Sequence, residues 1–265
     1  MNPGSGLPVS ISLVSHGHGR LLAELLADLD LISSTSFEVL LTLNIPEELP
    51  FTPGQFGFPI KLIQNAEPQG LGANQNAAFR ASQHPLFCVL NPDIRLPSDP
   101  FPQLASRLQV ATAGVVAPLI RTSDGRVEAS ARTFPTPFII LRKALLGPEP
   151  PDYVAGGPDI EPDWVGGMFM LYTRETFQSI GGFDERYHLY YEDVDICARV
   201  RMAGKRVILC PAVEVLHDAQ RQSHKNLRFF VWHVVSMLRF FTSAPFARLV
   251  LRRSGKSRNS RMNGS

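Results

Sequence analysis

The sequence predicts an α/β protein with a largely parallel central sheet and helices on both faces. Three observations carry this. Short β-rich apolar runs alternate along the chain with segments of helical periodicity, the order that builds parallel strands through crossover helices. Several of those runs end in polar or glycine-rich loops, the places where such sheets bind ligands. The chain has 265 residues and is 44% hydrophobic, enough for one large domain with a substantial core.

Residues 9–14 form the first expected strand, followed by Ser15-His16-Gly17-His18-Gly19 and then Leu21, Leu22, Leu25, Leu26 and Leu29 at helical spacing. Residues 37–43 and 60–63 give two more strands, with candidate ligand loops beginning at Asn44 and Asn65. A helix opened by Gly70 and Gly72 runs to Ala81. Its glycines lack the spacing of known phosphate loops, so alone they mark an ordinary tight turn. Residues 86–90 read as a buried strand closed by Asn91-Pro92-Asp93, by itself a common turn but one that sits at the carboxyl edge of the sheet.

Residues 113–119 are a further strand. From 127 to 162 the chain is rich in proline, arginine and glycine, which predicts an irregular excursion over the sheet; Arg132, Arg142 and Lys143 read as solvated surface charge, with attraction of an anionic substrate as the alternative. Residues 164–172 read as one strand interrupted by Gly166-Gly167, where a ligand can approach the backbone. A short helix near 174–180 leads to Gly181-Gly182-Phe183-Asp184-Glu185. Four rings, Phe183, Tyr187, His188 and Tyr190, then precede Glu192, Asp193 and Asp195. These acids open a helix, and acids in a first turn ordinarily complement the helix dipole. Rings crowding a carboxylate exclude water and raise its pKa toward that of a general base. Residues 205–217 make an extended return ending at His217.

Gly-Gly-Phe-Asp-Glu, the aromatic segment, Tyr-Glu-Asp-Val-Asp (191–195), Arg199 and Gly204 together resemble the acceptor-side motif of family 2 inverting glycosyltransferases of the GT-A fold, in their rhamnosyltransferase-like branch. The resemblance spans roughly residues 9–245. It implies a Rossmann-like sheet and a nucleotide site at Ser15, His16, Asn44, Asn65, Gly70, Asn74, Asn91 and Asp93. It also implies Mg²⁺ or Mn²⁺ on Asp93 and His217, with Asn91 standing where the family's first Asp is usual. Trp164, Gly166, Gly167, Tyr191 and Glu192 would border donor and acceptor sugars. Asp193 would take the acceptor's proton, with Glu192 as the other candidate base or as an acceptor ligand.

The implied donor is a dTDP or UDP sugar, and the implied acceptor a glycan or polyprenyl-linked glycan of a cell-surface polysaccharide. At two base-binding loops the sequence differs from the family: Ser15-His16 replaces an aromatic-Asn pair, and Leu43 to Glu47 replaces Asp-Asn-x-Ser-x-Asp. Two other classes fit parts of the pattern, a sugar-nucleotide nucleotidyltransferase and a non-catalytic nucleotide-sugar or glycan-binding protein.

Cys88, Cys197 and Cys210 sit in apolar runs and fit neither a disulfide framework nor a zinc motif; they read as reduced core residues. His16, His18 and His217 lack the partners of a zinc site. Residues 1–8 have no signal-peptide pattern, so a cytoplasmic protein is expected, peripheral at the inner face of the membrane. The net charge of +2 conceals an asymmetry: Asp218 is the last acid, and ten of the 26 Lys and Arg follow it. An anionic membrane surface is thus an expected partner, nucleic acid is not. The expected division is a catalytic domain over 1–224, an amphipathic helical segment over 225–253, packed on the body or lying in a membrane interface, and a disordered basic tail over 254–265.

Overall fold

A computed structural model describes residues 7–32, 35–147, 153, 157–217 and 227–249. The domain boundary near 224 and the basic tail from 254 lie outside the described residues, as do residues 1–6.

The first half is built as the alternation requires. Strand β1 (Val9–Ser15) leads into α1 (Gly19–Asp30), followed by β2 (Phe37–Leu43), β3 (Ile60–Gln64), α2 (Leu71–Ala81) and β4 (Leu86–Leu90). Side-chain alternation places Val9, Ile11 and Leu13 of β1 in one core layer with Leu22, Leu25, Leu26 and Leu29 of α1. Each fully buried leucine contributes roughly 1.5–3 kcal/mol. Strand β4 is buried on both faces: Leu86, Cys88 and Leu90 face the α1 layer, and Phe87 and Val89 face the opposite one.

The second half holds elements that the sequence reading left out. After β5 (Ile94–Arg95) come α3 (Phe101–Leu108), β6 (Ala113–Thr122), β7 (Ala131–Arg132) and α4 (Pro137–Leu146). The expected irregular excursion therefore contains a strand and a helix. Residues 164–172 are not one strand either: β8 (Trp164–Val165) pairs with β7 in a two-stranded sheet, and β9 (Phe169–Thr173) enters the main sheet. Gly166-Gly167 is the turn that lets the chain change sheets. The chain continues through α5 (Arg174–Ser179), α6 (Glu192–Met202), β10 (Arg206–His217) and α7 (Leu227–Phe241).

The main sheet has the order β3-β2-β1-β4-β9-β6-β10-β5. Strands β3, β2, β1 and β4 are mutually parallel, β9 runs antiparallel between β4 and β6, and β10 lies parallel to β6. Helices α1 and α3 pack on one face, and α2, α5 and α6 on the other. A third, smaller cluster joins Phe240 of α7 to Phe134, Tyr187, Tyr191 and Val194. All three cysteines are buried and free.

Candidate active site

The carboxyl ends of β1, β2 and β3 meet the start of α2 in a network of amides. Asn44 donates from Nδ2 to the Gln69 carbonyl at 3.0 Å, and its Oδ1 accepts from the Gln69 amide and from Asn65 Nδ2, both at 2.8 Å. Asn65 Nδ2 also donates to Asn74 Oδ1 at 2.7 Å, and His16 Nδ1 lies 3.3 Å from Asn44 Nδ2. Four of the expected nucleotide residues thus stand in one network that fixes three loops relative to each other. Asn44 and Asn74 are buried within it, and the His16 side is open to solvent.

Ser15 is used differently: its buried Oγ accepts from the His18 amide at 3.1 Å and shapes the first loop. Gly70 has a packing reason to be glycine, since a Cβ there would lie 3.0 Å from both Cα and O of His188. The Leu71 amide donates to that same His188 carbonyl at 3.0 Å. The turn before α2 therefore leans on the segment that delivers the acids.

A second centre forms where β5 pairs antiparallel with the end of β10. The register sets His217 opposite Ile94, next to Asp93. His217 Nε2 lies 3.1 Å from Asp93 Oδ2, and His217 Nδ1 lies 2.6 Å from Glu128 Oε2. Burial works against a charged imidazole here, yet hydrogen bonds to Asp93 and Glu128, with their charges, raise the His217 pKa to about 10. Asp93 Oδ1 is buried with no hydrogen-bond partner. Two carboxylates around an imidazole favour positive charge between them. An orphaned carboxylate oxygen beside Nε2, with a second carboxylate on Nδ1, is the donor set of a carboxylate-histidine-metal arrangement, so these residues fit a divalent cation that takes the place of the Nε2 proton. Among the described residues no group of three or more His, Cys, Asp or Glu side chains is arranged to hold a metal ion. An ion held here would take its remaining ligands from substrate and water. Asn91 anchors the loop instead: its amide donates to the Met168 carbonyl at 2.9 Å. His16 lies in the amide network, so it is not grouped with His217 as a zinc set.

The third centre is a pocket of about 340 Å³ whose walls include Arg132, Ile139, Ile140, Trp164, Tyr190, Tyr191, Glu192, Asp193 and His233. Asp193 Oδ1 accepts from the Val194 amide at 2.8 Å and Oδ2 from the Gly167 amide at 3.2 Å. Glu192 is buried, and its Oε2 has no partner. Burial, then the charge of Asp193, pushes the Glu192 carboxyl well above the ordinary range. Burial also raises Asp193, opposed by the two amides and by the Arg132 charge. The environments of the two neighbours differ in kind. Burial with an unpartnered oxygen disfavours charge on Glu192, while amide donors on both Asp193 oxygens favour the charged form there. Asp195 takes no part, since it pairs with Arg199 at 2.8 Å inside the core.

The turn before these acids is strained. Tyr190 and Tyr191 both have positive φ, 69° and 66°, a conformation that costs non-glycine residues of order 1–3 kcal/mol and that clusters at functional sites. Helix α7 holds it: Ser236 Oγ donates to the Leu189 carbonyl at 2.9 Å, and Tyr191 packs 5.8 Å from the Phe240 ring.

Of the four rings expected around the acids, only Tyr190 lines the pocket. Phe183 and Tyr187 are core residues, and His188 packs 4.4 Å from the Trp232 ring of α7. Trp164 does line it, anchored by a bond from Nε1 to the Thr133 carbonyl at 2.9 Å. The sequence reading missed Glu128 altogether; Arg132, read as solvated charge, is exposed and also lines the pocket wall. Both lie on one short segment linking the His217 centre to the pocket, and the Ser130 carbonyl within it accepts from the Gly166 amide at 2.7 Å. No local motif marks that segment.

The family model for glycosyl transferase family 2 matches residues 48–158, and one described as the N-terminal domain of galactosyltransferase matches residues 159–225. The chain is therefore similar to glycosyltransferase family 2 over residues 48–158. Among curated relatives, N-acetylglucosaminyl-diphospho-decaprenol L-rhamnosyltransferase of Mycobacterium tuberculosis is 37% identical over 148 residues, 52% of this chain and 48% of the relative. That match spans about half the relative's length. Rhamnosyltransferase WbbL of Escherichia coli is 27% identical over 251 residues, 88% of this chain and 92% of the relative. Two solved structures share the fold. GalNAc-T7 with UDP, GalNAc and Mn²⁺ matches at a TM-score of 0.63 and 15% identity, over 85% of this chain and 47% of that one. The Pyrobaculum calidifontis mannosyltransferase PcManGT with GDP-Man and Mn²⁺ matches at 0.62 and 17%, over 92% and 68%. The sheet order and flanking helices are those of the GT-A fold.

Proposed function

We propose that the chain is an inverting glycosyltransferase that moves a sugar, rhamnose being the favoured choice, from a dTDP or UDP sugar to a hydroxyl of a glycan or polyprenyl-linked acceptor of a cell-surface polysaccharide. The observation that carries this is the unequal pair at the pocket: Asp193 with both oxygens held by the Val194 and Gly167 amides, beside a buried Glu192 whose Oε2 has no partner. The rhamnosyl and lipid-linked parts are supported by the names of the curated relatives.

In the reaction Asp193 takes the proton of the acceptor hydroxyl as its oxygen bonds to the anomeric carbon. The bond from that carbon to the diphosphate breaks on the opposite face, so configuration inverts without a covalent enzyme intermediate. Trp164 and Tyr191 offer ring faces to the acceptor sugar, and Glu192 donates its proton as a hydrogen bond to it. Asp93 and His217 would hold Mg²⁺ or Mn²⁺, which supplies charge to stabilise the departing diphosphate. The amide network of Asn44, Asn65 and Asn74 orients the nucleotide loops. In this reading the enzyme works in the cytoplasm, at the inner face of the membrane.

Thermal-shift titration with UDP, dTDP and GDP, each with and without Mn²⁺, tests this reading. Stabilisation by a nucleoside diphosphate that depends on the cation is expected. Stabilisation by none of them would leave a glycan-binding protein as the better description.

A further inference from the structure

The described residues leave 14 large apolar side chains exposed, and nine of them lie on just two helices. On α4 these are Phe138, Leu141, Leu145 and Leu146, at the i, i+3, i+7, i+8 spacing of one helix face. On α7 they are Leu227, Phe230, Val231, Val235 and Leu238, again along one face and opposite the buried Ser236 and Phe240. The nine are 49% to 79% exposed. Both helices also border the acceptor pocket, α4 through Ile139 and Ile140 and α7 through His233. Neither helix contains an acid; Arg142 lies in α4 and Arg228 in α7, whereas Arg239 of α7 turns inward over the buried Tyr187 ring. Beyond Asp218 the chain is wholly cationic among its charged residues.

We propose that the outer faces of α4 and α7 form one docking surface for a bilayer of anionic lipid, with the pocket mouth between them. Two short apolar stripes with cations and no acids match the interface of such a bilayer: apolar side chains enter the headgroup boundary while Lys and Arg meet the phosphates. No described helix is long and apolar enough to cross a membrane, so the contact is lateral. The proposal goes beyond the reading of the reaction and rests on it only for what the pocket takes. A polyprenyl-linked sugar would reach Asp193 without leaving the bilayer.

The test is co-sedimentation of the full chain with vesicles of phosphatidylcholine alone and of phosphatidylcholine mixed with phosphatidylglycerol. Two variant sets are compared, Phe138→Ser/Leu141→Ser/Leu145→Ser and Phe230→Ser/Val231→Ser/Leu238→Ser. These side chains are exposed, so folding should survive, and keeping the sets separate preserves the test if one does not. Wild type should prefer the anionic vesicles, with binding weakened by salt, and each set should lower binding roughly tenfold or more. Nucleoside diphosphate stabilisation should stay unchanged in both, which separates failure of the docking surface from failure of the proposed reaction. Wild-type binding in both variant sets would assign the attraction to the cationic tail alone and overturn the proposal. So would absence of vesicle binding by wild type, or a concentration-dependent dimer in solution that both sets abolish.

Discussion

Asp193 reaches across from the first turn of α6 to the Gly166-Gly167 turn, where its Oδ2 accepts the Gly167 amide at 3.2 Å. This contact ties the acid helix to the point where the chain passes from the small sheet to the main one. The neighbouring Met168 carbonyl accepts from the Asn91 amide at 2.9 Å, two residues before Asp93. Asp193 and Asp93 are thereby linked through two short backbone segments, Gly167-Met168 and Asn91-Pro92-Asp93.

Glu128 should matter to the cation although it does not touch it. Its Oε2 lies 2.6 Å from His217 Nδ1, which turns Nε2 toward Asp93. Partners of this kind change metal affinity by about 10- to 100-fold. Mn²⁺ titration followed by electron paramagnetic resonance should show such a weakening in Glu128→Gln and a larger one in Asp93→Ala. Unchanged affinity in Glu128→Gln would remove it from this role.

Glu192 makes the folded state sensitive to pH. Its pKa is raised on folding above the ordinary 4.5, by burial first and by Asp193 second. A carboxyl whose folded pKa is raised contributes stability that is fully present below the unfolded value and is lost as pH rises through the folded one. Thermal midpoints should therefore decline as pH rises above 4.5, and the decline should be shallower in Glu192→Gln. A variant with the wild-type slope would show that the carboxyl is ionised in the folded protein.

Gly70→Ala tests whether that glycine serves packing. The added methyl would sit 3.0 Å from the His188 backbone, which cannot swing aside as a flexible side chain could. A loss of about 1–3 kcal/mol in denaturant unfolding is expected, together with weaker nucleotide affinity through displacement of the loop. Full stability with lost nucleotide binding would instead place a phosphate against this residue.

The strands and helices of the first half were legible because one-face leucines in α1 and short β-rich runs in β1, β2 and β4 leave little ambiguity. Helix α4 was not: Pro-Phe-Ile-Ile-Leu-Arg-Lys-Ala-Leu-Leu is apolar nearly all round, so no period stands out. Helix α3 did carry its pattern in Phe101, Leu104, Ala105 and Leu108, hidden by brevity and by two prolines at its start. The pairing of Asp93 with His217 came from family resemblance and rests physically on the two-residue β5, too short to read in sequence. Glu128 and Arg132 had no local signal, because their significance arises from where the segment from the end of β6 through β7 is laid down.

The most direct test compares sugar transfer by wild type, Asp193→Asn and Glu192→Gln on folded protein, with nucleotide affinity measured alongside. Asp193→Asn keeps the side chain's size and an acceptor for the Gly167 amide but cannot take a proton. Transfer should fall by roughly 10²- to 10⁴-fold with donor binding intact, and Glu192→Gln should lose less turnover and more acceptor affinity. Near-normal turnover in Asp193→Asn, with only a modest loss of stability in both variants, would show that these acids serve the helix dipole and contradict the assignment of Asp193 as the base.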